Sequence, residues 1–93
     1  MKMNHVEGKG KGRVALYALS TCVWCKKTKK LLGDLGVAYD YIFVDLLEGA
    51  DKDEAVSEIT KWNKECSFPT MVIDNKECIV GYKPEAIKKR LGT

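Results

Sequence analysis

The spacing Cys22-Val23-Trp24-Cys25 constrains this chain more than any other feature. It follows the apolar run Val14-Ala15-Leu16-Tyr17-Ala18-Leu19 and opens a Lys-rich stretch, so the two cysteines stand at a strand-to-helix junction. At the start of a helix the first N–H groups lack intrahelical partners and the macrodipole is positive, which favours negative charge on the leading sulfur. Cysteines in that setting titrate at about 3.5–7.5 instead of about 8.5. The two-residue spacer lets Cys25 reach back and close a disulfide. The pair therefore reads as a two-electron dithiol/disulfide switch.

A lone Cys-x-x-Cys is also half of a zinc site, which needs a second Cys or His pair at similar spacing. Cys66 and Cys78 are too far apart in sequence to supply it, and the sole histidine, His5, lies in the N-terminal segment. No metal ligands are assigned, and a small zinc-binding domain ranks third among the readings.

A chain of 93 residues, 45% of them hydrophobic, has material for one core. The formal charge of +3 is unevenly placed. Lys2, Lys9, Lys11 and Arg13 against Glu7 account for all of it, and Val14 to Thr93 is neutral. With Gly8, Gly10 and Gly12 alternating with basic residues, 1–13 reads as a flexible basic leader and 14–93 as the folded domain. No aromatic residues are interleaved with the leader's basic ones, as single-strand binding requires, so no nucleic-acid partner is expected. No run approaches the ~18 apolar residues of a membrane span, and no signal-peptide pattern is present. A cytoplasmic monomer with reduced or cycling thiols is the expectation.

After the first strand, Thr28, Leu31, Leu32 and Leu35 share one helical stripe, and Gly36 ends that helix. Val37 to Asp45 is β-branched and aromatic and reads as a strand. Asp51 followed by Glu54 resembles an N-terminal cap for a helix whose stripe is Ala55, Ile59, Trp62 and Cys66. Thr70 to Asp74 reads as a strand, Asn75-Lys76 as a turn and Cys78 to Val80 as the hairpin partner. Pro84 opens a last helix, Glu85 to Leu91. The order β-α-β-α-β-β-α predicts an α/β fold of the thioredoxin-like class, a mixed four-stranded sheet with helices on both faces.

These residues resemble the glutaredoxin family from about Val14 to Leu91. Besides Cys22 and Cys25, Ser67-Phe68-Pro69 stands where that family has Thr-Val-Pro, and Gly81-Tyr82 where it has Gly-Gly before the last helix. The resemblance implies catalytic roles for Cys22 and Cys25 and a cis peptide before Pro69. It implies substrate binding by Trp24, Ser67, Phe68, Pro69, Gly81 and Tyr82, with no bound cofactor. A dithiol thiol–disulfide oxidoreductase of protein or low-molecular-weight disulfides follows, with Lys26 beside the nucleophile as a tuning cation.

Two departures bear on the reductant. The family's Lys three residues before the nucleophile is Leu19 here, and its Gly-Gly-x-Asp-Asp becomes Gly81-Tyr82-Lys83-Pro84-Glu85. Both positions receive glutathione in the family, and Pro84 offers neither carboxylate nor N–H. The second segment resembles the Gly-Phe-Arg-Pro-Asp of glutaredoxin-like redoxins that feed ribonucleotide reductase. The electron source is therefore glutathione, another small thiol or a thioredoxin-reductase-type flavoprotein, and disulfide-containing proteins such as ribonucleotide reductase are the expected partners. An alternative is the iron–sulfur carrier role of some glutaredoxins, which usually lack the second cysteine. Cys66 and Cys78 read as small buried hydrophobes.

Overall fold

The computed structural model describes residues 2–10 and 12–92. Along the chain follow β1 (Asn4–Val6), β2 (Val14–Ala18), α1 (Val23–Leu35), β3 (Tyr39–Phe43), α2 (Gly49–Trp62), β4 (Thr70–Ile73), β5 (Glu77–Val80) and α3 (Pro84–Leu91). In space the strands run β1-β3-β2-β4-β5. β2 and β3 are parallel, as the α1 crossover requires, and the other pairs are antiparallel. From Val14 onward this is the expected thioredoxin-like arrangement.

The sheet has five strands where four were expected. The addition, β1, comes from within the stretch that composition assigned to a leader. It pairs with β3, placing His5 opposite Asp40, with Nδ1 2.7 Å from Oδ1. Lys9 then exchanges backbone bonds with Gly36 and Ala38. An edge strand presents unpaired N–H and C=O groups that recruit such a segment despite its composition. Gly8 permits the close approach, since a Cβ there would lie 2.6 Å from the Val37 carbonyl carbon. Met1 and Lys11 of that stretch lie outside the described residues.

Alternation along β2 sends its side chains to two cores. Val14, Leu16 and Ala18 join Leu32 of α1, Met71 and Ile73 of β4, and Ile87 and Leu91 of α3. Tyr17 faces the other way, with Ile42, Val72 and the α2 residues Ala55 and Ile59. Each fully buried Leu or Ile contributes about 1.5–3 kcal/mol.

Three element boundaries differ from the sequence reading. The strand after Gly36 spans only Tyr39–Phe43, because Val44–Leu46 tightens into a 3₁₀ turn that carries Asp45 out toward Ser20. α2 begins at Gly49, ahead of the Asp51 expected to cap it, and ends at Trp62, so Cys66 lies outside the helix at φ 52°. The hairpin turns at Asp74-Asn75, both left-handed at φ 55° and 54°, with Lys76 N–H bonded to the Ile73 carbonyl at 3.1 Å. Asp and Asn are the non-glycine residues that adopt this conformation most readily. Gly36 closes α1 at φ 69° and Pro84 starts α3, both as expected.

Candidate active site

Cys22 is the N-cap of α1, and the Cys25 N–H donates to its Sγ at 3.2 Å. A sulfur thus fills the position where Ser, Thr or Asp oxygens usually satisfy an orphan amide at a helix start. The first turn of α1 carries no carboxylate, so nothing there opposes the positive helix end that faces Sγ. A turn precedes the cap, with Cys22 N–H bonded to the Leu19 carbonyl at 3.3 Å. The two thiols differ in access: Cys22 is half-buried, whereas Cys25 is sealed against the β2–α1–α3 core. Burial, then the hydrogen bond with Cys22, pushes the Cys25 thiol up to about 12. A partly exposed nucleophile and a protonated, buried partner is the division of labour that a two-step exchange needs.

Beside the pair opens a groove of about 230 Å³ lined by Trp24, Phe68, Pro69, Gly81 and Tyr82. The Phe68-Pro69 peptide is cis, and the Pro69 carbonyl accepts from Gly81 N–H at 2.8 Å, which ties the loop before β4 to the end of β5. Trp24 is 55% exposed, stacks on Tyr82 with centroids 5.9 Å apart, and has the Lys27 Nζ 4.8 Å above its ring. The structure thus gathers five of the six expected substrate-binding residues around one groove. Ser67 does not line it and turns its hydroxyl toward Asn63. Lys26 donates its backbone N–H to the Cys22 carbonyl, and its side chain is exposed. Pro84 sits in the first turn of α3, and Leu19 is half-buried at the end of β2.

Sequence reasoning missed three residues here. Asp45 accepts from both the backbone N–H and the hydroxyl of Ser20, at 2.8 and 2.5 Å, tethering the turn that leads to Cys22. Those two bonds, the hydroxyl's first, hold the Asp45 carboxyl below the usual carboxylate range. Leu46 beside it is 67% exposed, and with Val23 and Trp24 completes the exposed large hydrophobics among the described residues. Asn63 is the third, a hydrogen-bonding hub behind the groove. A large apolar residue directly after an aspartate at a strand end was the one available signal for Leu46. Ser20 and Asn63 carried none, since their partners are distant in sequence or in the loop's own fold.

Cys66 and Cys78 pack on the α2 face of the sheet, whereas Cys22 and Cys25 belong to the α1–α3 face. The sheet therefore separates the two pairs, and they do not form one four-cysteine cluster. Cys78 Sγ lies 3.7 Å from the Trp62 carbonyl. A larger groove of about 550 Å³ opens between α2 and the sheet, lined by residues including Arg13, Tyr17, Glu58 and Trp62. It holds neither Trp24, which stands between the two cysteines, nor the Phe68-Pro69 loop, so size does not identify the redox site.

The sequence model of the glutaredoxin family matches residues 14–79. The chain is 53% identical to the glutaredoxin from Methanosarcina mazei Go1, covering 100% of this chain and 90% of that one with a TM-score of 0.92. It is 49% identical to Methanosarcina acetivorans methanoredoxin, covering 92% and 90% with a TM-score of 0.89. An uncharacterized glutaredoxin-like 8.6 kDa protein of the rubredoxin operon of Clostridium pasteurianum shares 32% identity over 76 residues, 82% of this chain and 93% of that protein. With the helix-capping Cys22, the buried Cys25 and the Phe68-Pro69 loop in one place, the chain belongs to the glutaredoxin family.

Proposed function

We propose that the chain is a dithiol thiol–disulfide oxidoreductase that prefers disulfides of proteins to small ones. The observation that carries this reading is the unequal pair: a partly exposed Cys22 on a helix end, and a sealed Cys25 whose own N–H points at its sulfur from 3.2 Å. The Cys22 thiolate attacks one sulfur of the substrate disulfide. A Cys22–substrate S–S bond forms as the substrate's own S–S bond breaks, and the departing thiolate takes a proton. Cys25 then loses its proton and attacks Cys22 Sγ, which forms the Cys22–Cys25 disulfide and releases the second substrate thiolate. Two electrons have passed from the pair to the substrate, and an external thiol or reductase returns them.

The preference for proteins rests on the rim. Val23, Trp24 and Leu46 expose apolar surface around the nucleophile, with no core of their own to enter. Exposed apolar residues grouped at one edge mark a contact surface. Leu19 and Pro84 stand where a lysine and a polar anchor would hold glutathione, which supports a flavoprotein or a different thiol as the electron source. A partner of the ribonucleotide-reductase kind fits the Gly81-Tyr82-Lys83-Pro84-Glu85 segment. The test compares insulin reduction driven by glutathione and its reductase with reduction driven by thioredoxin reductase. Faster turnover with thioredoxin reductase is expected. Turnover with the glutathione system and none with thioredoxin reductase refutes the donor assignment, and no insulin reduction by the chain pre-reduced with dithiothreitol, whatever the donor, refutes the protein-disulfide reading.

A further inference from the structure

We propose that Asn63 is a positioning residue for substrate, and that its side-chain amide holds the Phe68-Pro69 segment in the shape that receives a disulfide. The inference rests on the oxidoreductase reading above and assigns a residue that the family motifs do not mark.

Asn63 stands directly after α2, its backbone N–H closing the helix on the Ile59 carbonyl at 2.8 Å. From there its side chain works forward along the loop. Nδ2 donates to Ser67 Oγ at 2.8 Å, and the Ser67 carbonyl and Thr70 Oγ1 each lie 3.4 Å away. Oδ1 accepts from Glu65 N–H at 3.2 Å, and the Asn63 carbonyl accepts from Cys66 N–H at 2.9 Å. Thr70 Oγ1 in turn donates to the Ser67 carbonyl at 2.7 Å. One amide therefore joins the end of α2, the loop and the first residue of β4.

The consequence falls on the groove. Ser67 is bound from the α2 side by Asn63, while Pro69 is bound from the β5 side by Gly81. Phe68 lies between these two holds and packs against both cores. Fixing the polar side of the loop on Asn63 leaves its apolar side, Phe68 and Pro69, in the groove with Trp24 and Tyr82. The Cys22–Cys25 turn is held by other contacts, the Asp45–Ser20 bonds and the α1 cap, so loop position and thiol reactivity are separable.

That separation makes the inference testable. Asn63→Asp keeps the acceptor for Glu65 N–H but removes the Nδ2 donors and sets a carboxylate against the Ser67 carbonyl, Ser67 Oγ and Thr70 Oγ1, of which only the Ser67 hydroxyl is free to turn a proton toward it. In the full-length chain, insulin reduction should show KM raised about tenfold with kcat within about twofold, the pattern of lost binding without lost chemistry. Cys22 alkylation by iodoacetamide should proceed at the wild-type rate. KM within about twofold of wild type refutes the inference. So does a parallel fall of kcat, alkylation rate and melting temperature, which marks a structural residue. Should Asn63→Asp fail to fold, Ser67→Ala removes the nearest of the three acceptors for Nδ2 and should still raise KM about threefold, an unchanged KM again refuting the idea. A wild-type chain inactive on insulin overturns the oxidoreductase reading and this inference with it. An active wild type with an unaffected variant overturns the Asn63 assignment alone.

Discussion

Replacing Cys22 with alanine should make Cys25 easier to alkylate, although it removes the residue that does the chemistry. In the intact site Cys25 is fully buried and its thiol is pushed up to about 12, first by burial, then by the hydrogen bond with Cys22, with the charges of Cys22 and Asp45 adding to it. A thiol titrating there is ionised in ~1 molecule in 10⁵ near pH 7, against ~3 in 100 for an ordinary cysteine near 8.5, a ratio of about 3,000. Cys22→Ala takes away the hydrogen bond and the Cys22 charge but leaves burial and Asp45 in place, so the Cys25 midpoint should fall partway toward the ordinary value. Each unit of that fall raises its thiolate fraction about tenfold at fixed pH. The assay is timed iodoacetamide labelling from near neutral to strongly alkaline pH, read by peptide mass spectrometry. Wild-type Cys22 should label first and Cys25 only at the alkaline end, while in Cys22→Ala the Cys25 curve moves to lower pH. Equal labelling of both wild-type cysteines near neutral pH, or an unmoved Cys25 curve in the variant, refutes the reasoning. In the proposed reaction, a Cys22 bound in a mixed disulfide would likewise no longer raise the Cys25 thiol through its hydrogen bond and charge, which would favour the resolving step.

Leu32 is fully buried between α1 and the sheet, and Leu32→Ala should cost about 2–5 kcal/mol in urea unfolding, a loss under about 1 kcal/mol showing that this core collapses around the gap. Asp45 bears on acid stability: its carboxyl is held low by the Ser20 hydroxyl and N–H, so its contribution is present above the ordinary carboxylate value of about 3.9 and is lost as pH falls through the lowered one. Asp45→Asn should therefore flatten the acid limb of stability against pH, measured as urea midpoints, and an unchanged limb would show that the tether carries no linkage.

Much of the site was legible because its signals are local. A cysteine can cap a helix only if it directly precedes one, and Val14 to Leu19 followed by a Lys-rich amphipathic stretch announced that junction. Gly36 and Pro84 marked helix ends through their own backbone limits, and both stand where expected. The turn slipped by a residue because Asp74 and Asn75 are both able to turn left-handed, and cross-strand register chose between the candidates. The start of α2 moved because a helix can begin before its best cap when its first residue is a glycine that tolerates the bend, here Gly49 at φ 57°.

By itself the sequence determined that Cys22 and Cys25 stand together at a helix start, the order of elements from Val14, and the alternation that sends Leu16 and Tyr17 to opposite cores. These depend on chemical type and on near neighbours. Tertiary structure alone decided that Asn4–Val6 joins β3, that Asp45 grips Ser20, that Asn63 braces Ser67, and that Cys66 and Cys78 lie across the sheet from the redox pair. Each is a pairing across a fold, set by which edges and loop ends the packed cores bring together. Composition told against β1 and was silent on the rest, because a hydrogen bond needs a partner at about 3 Å and a sequence carries no distances.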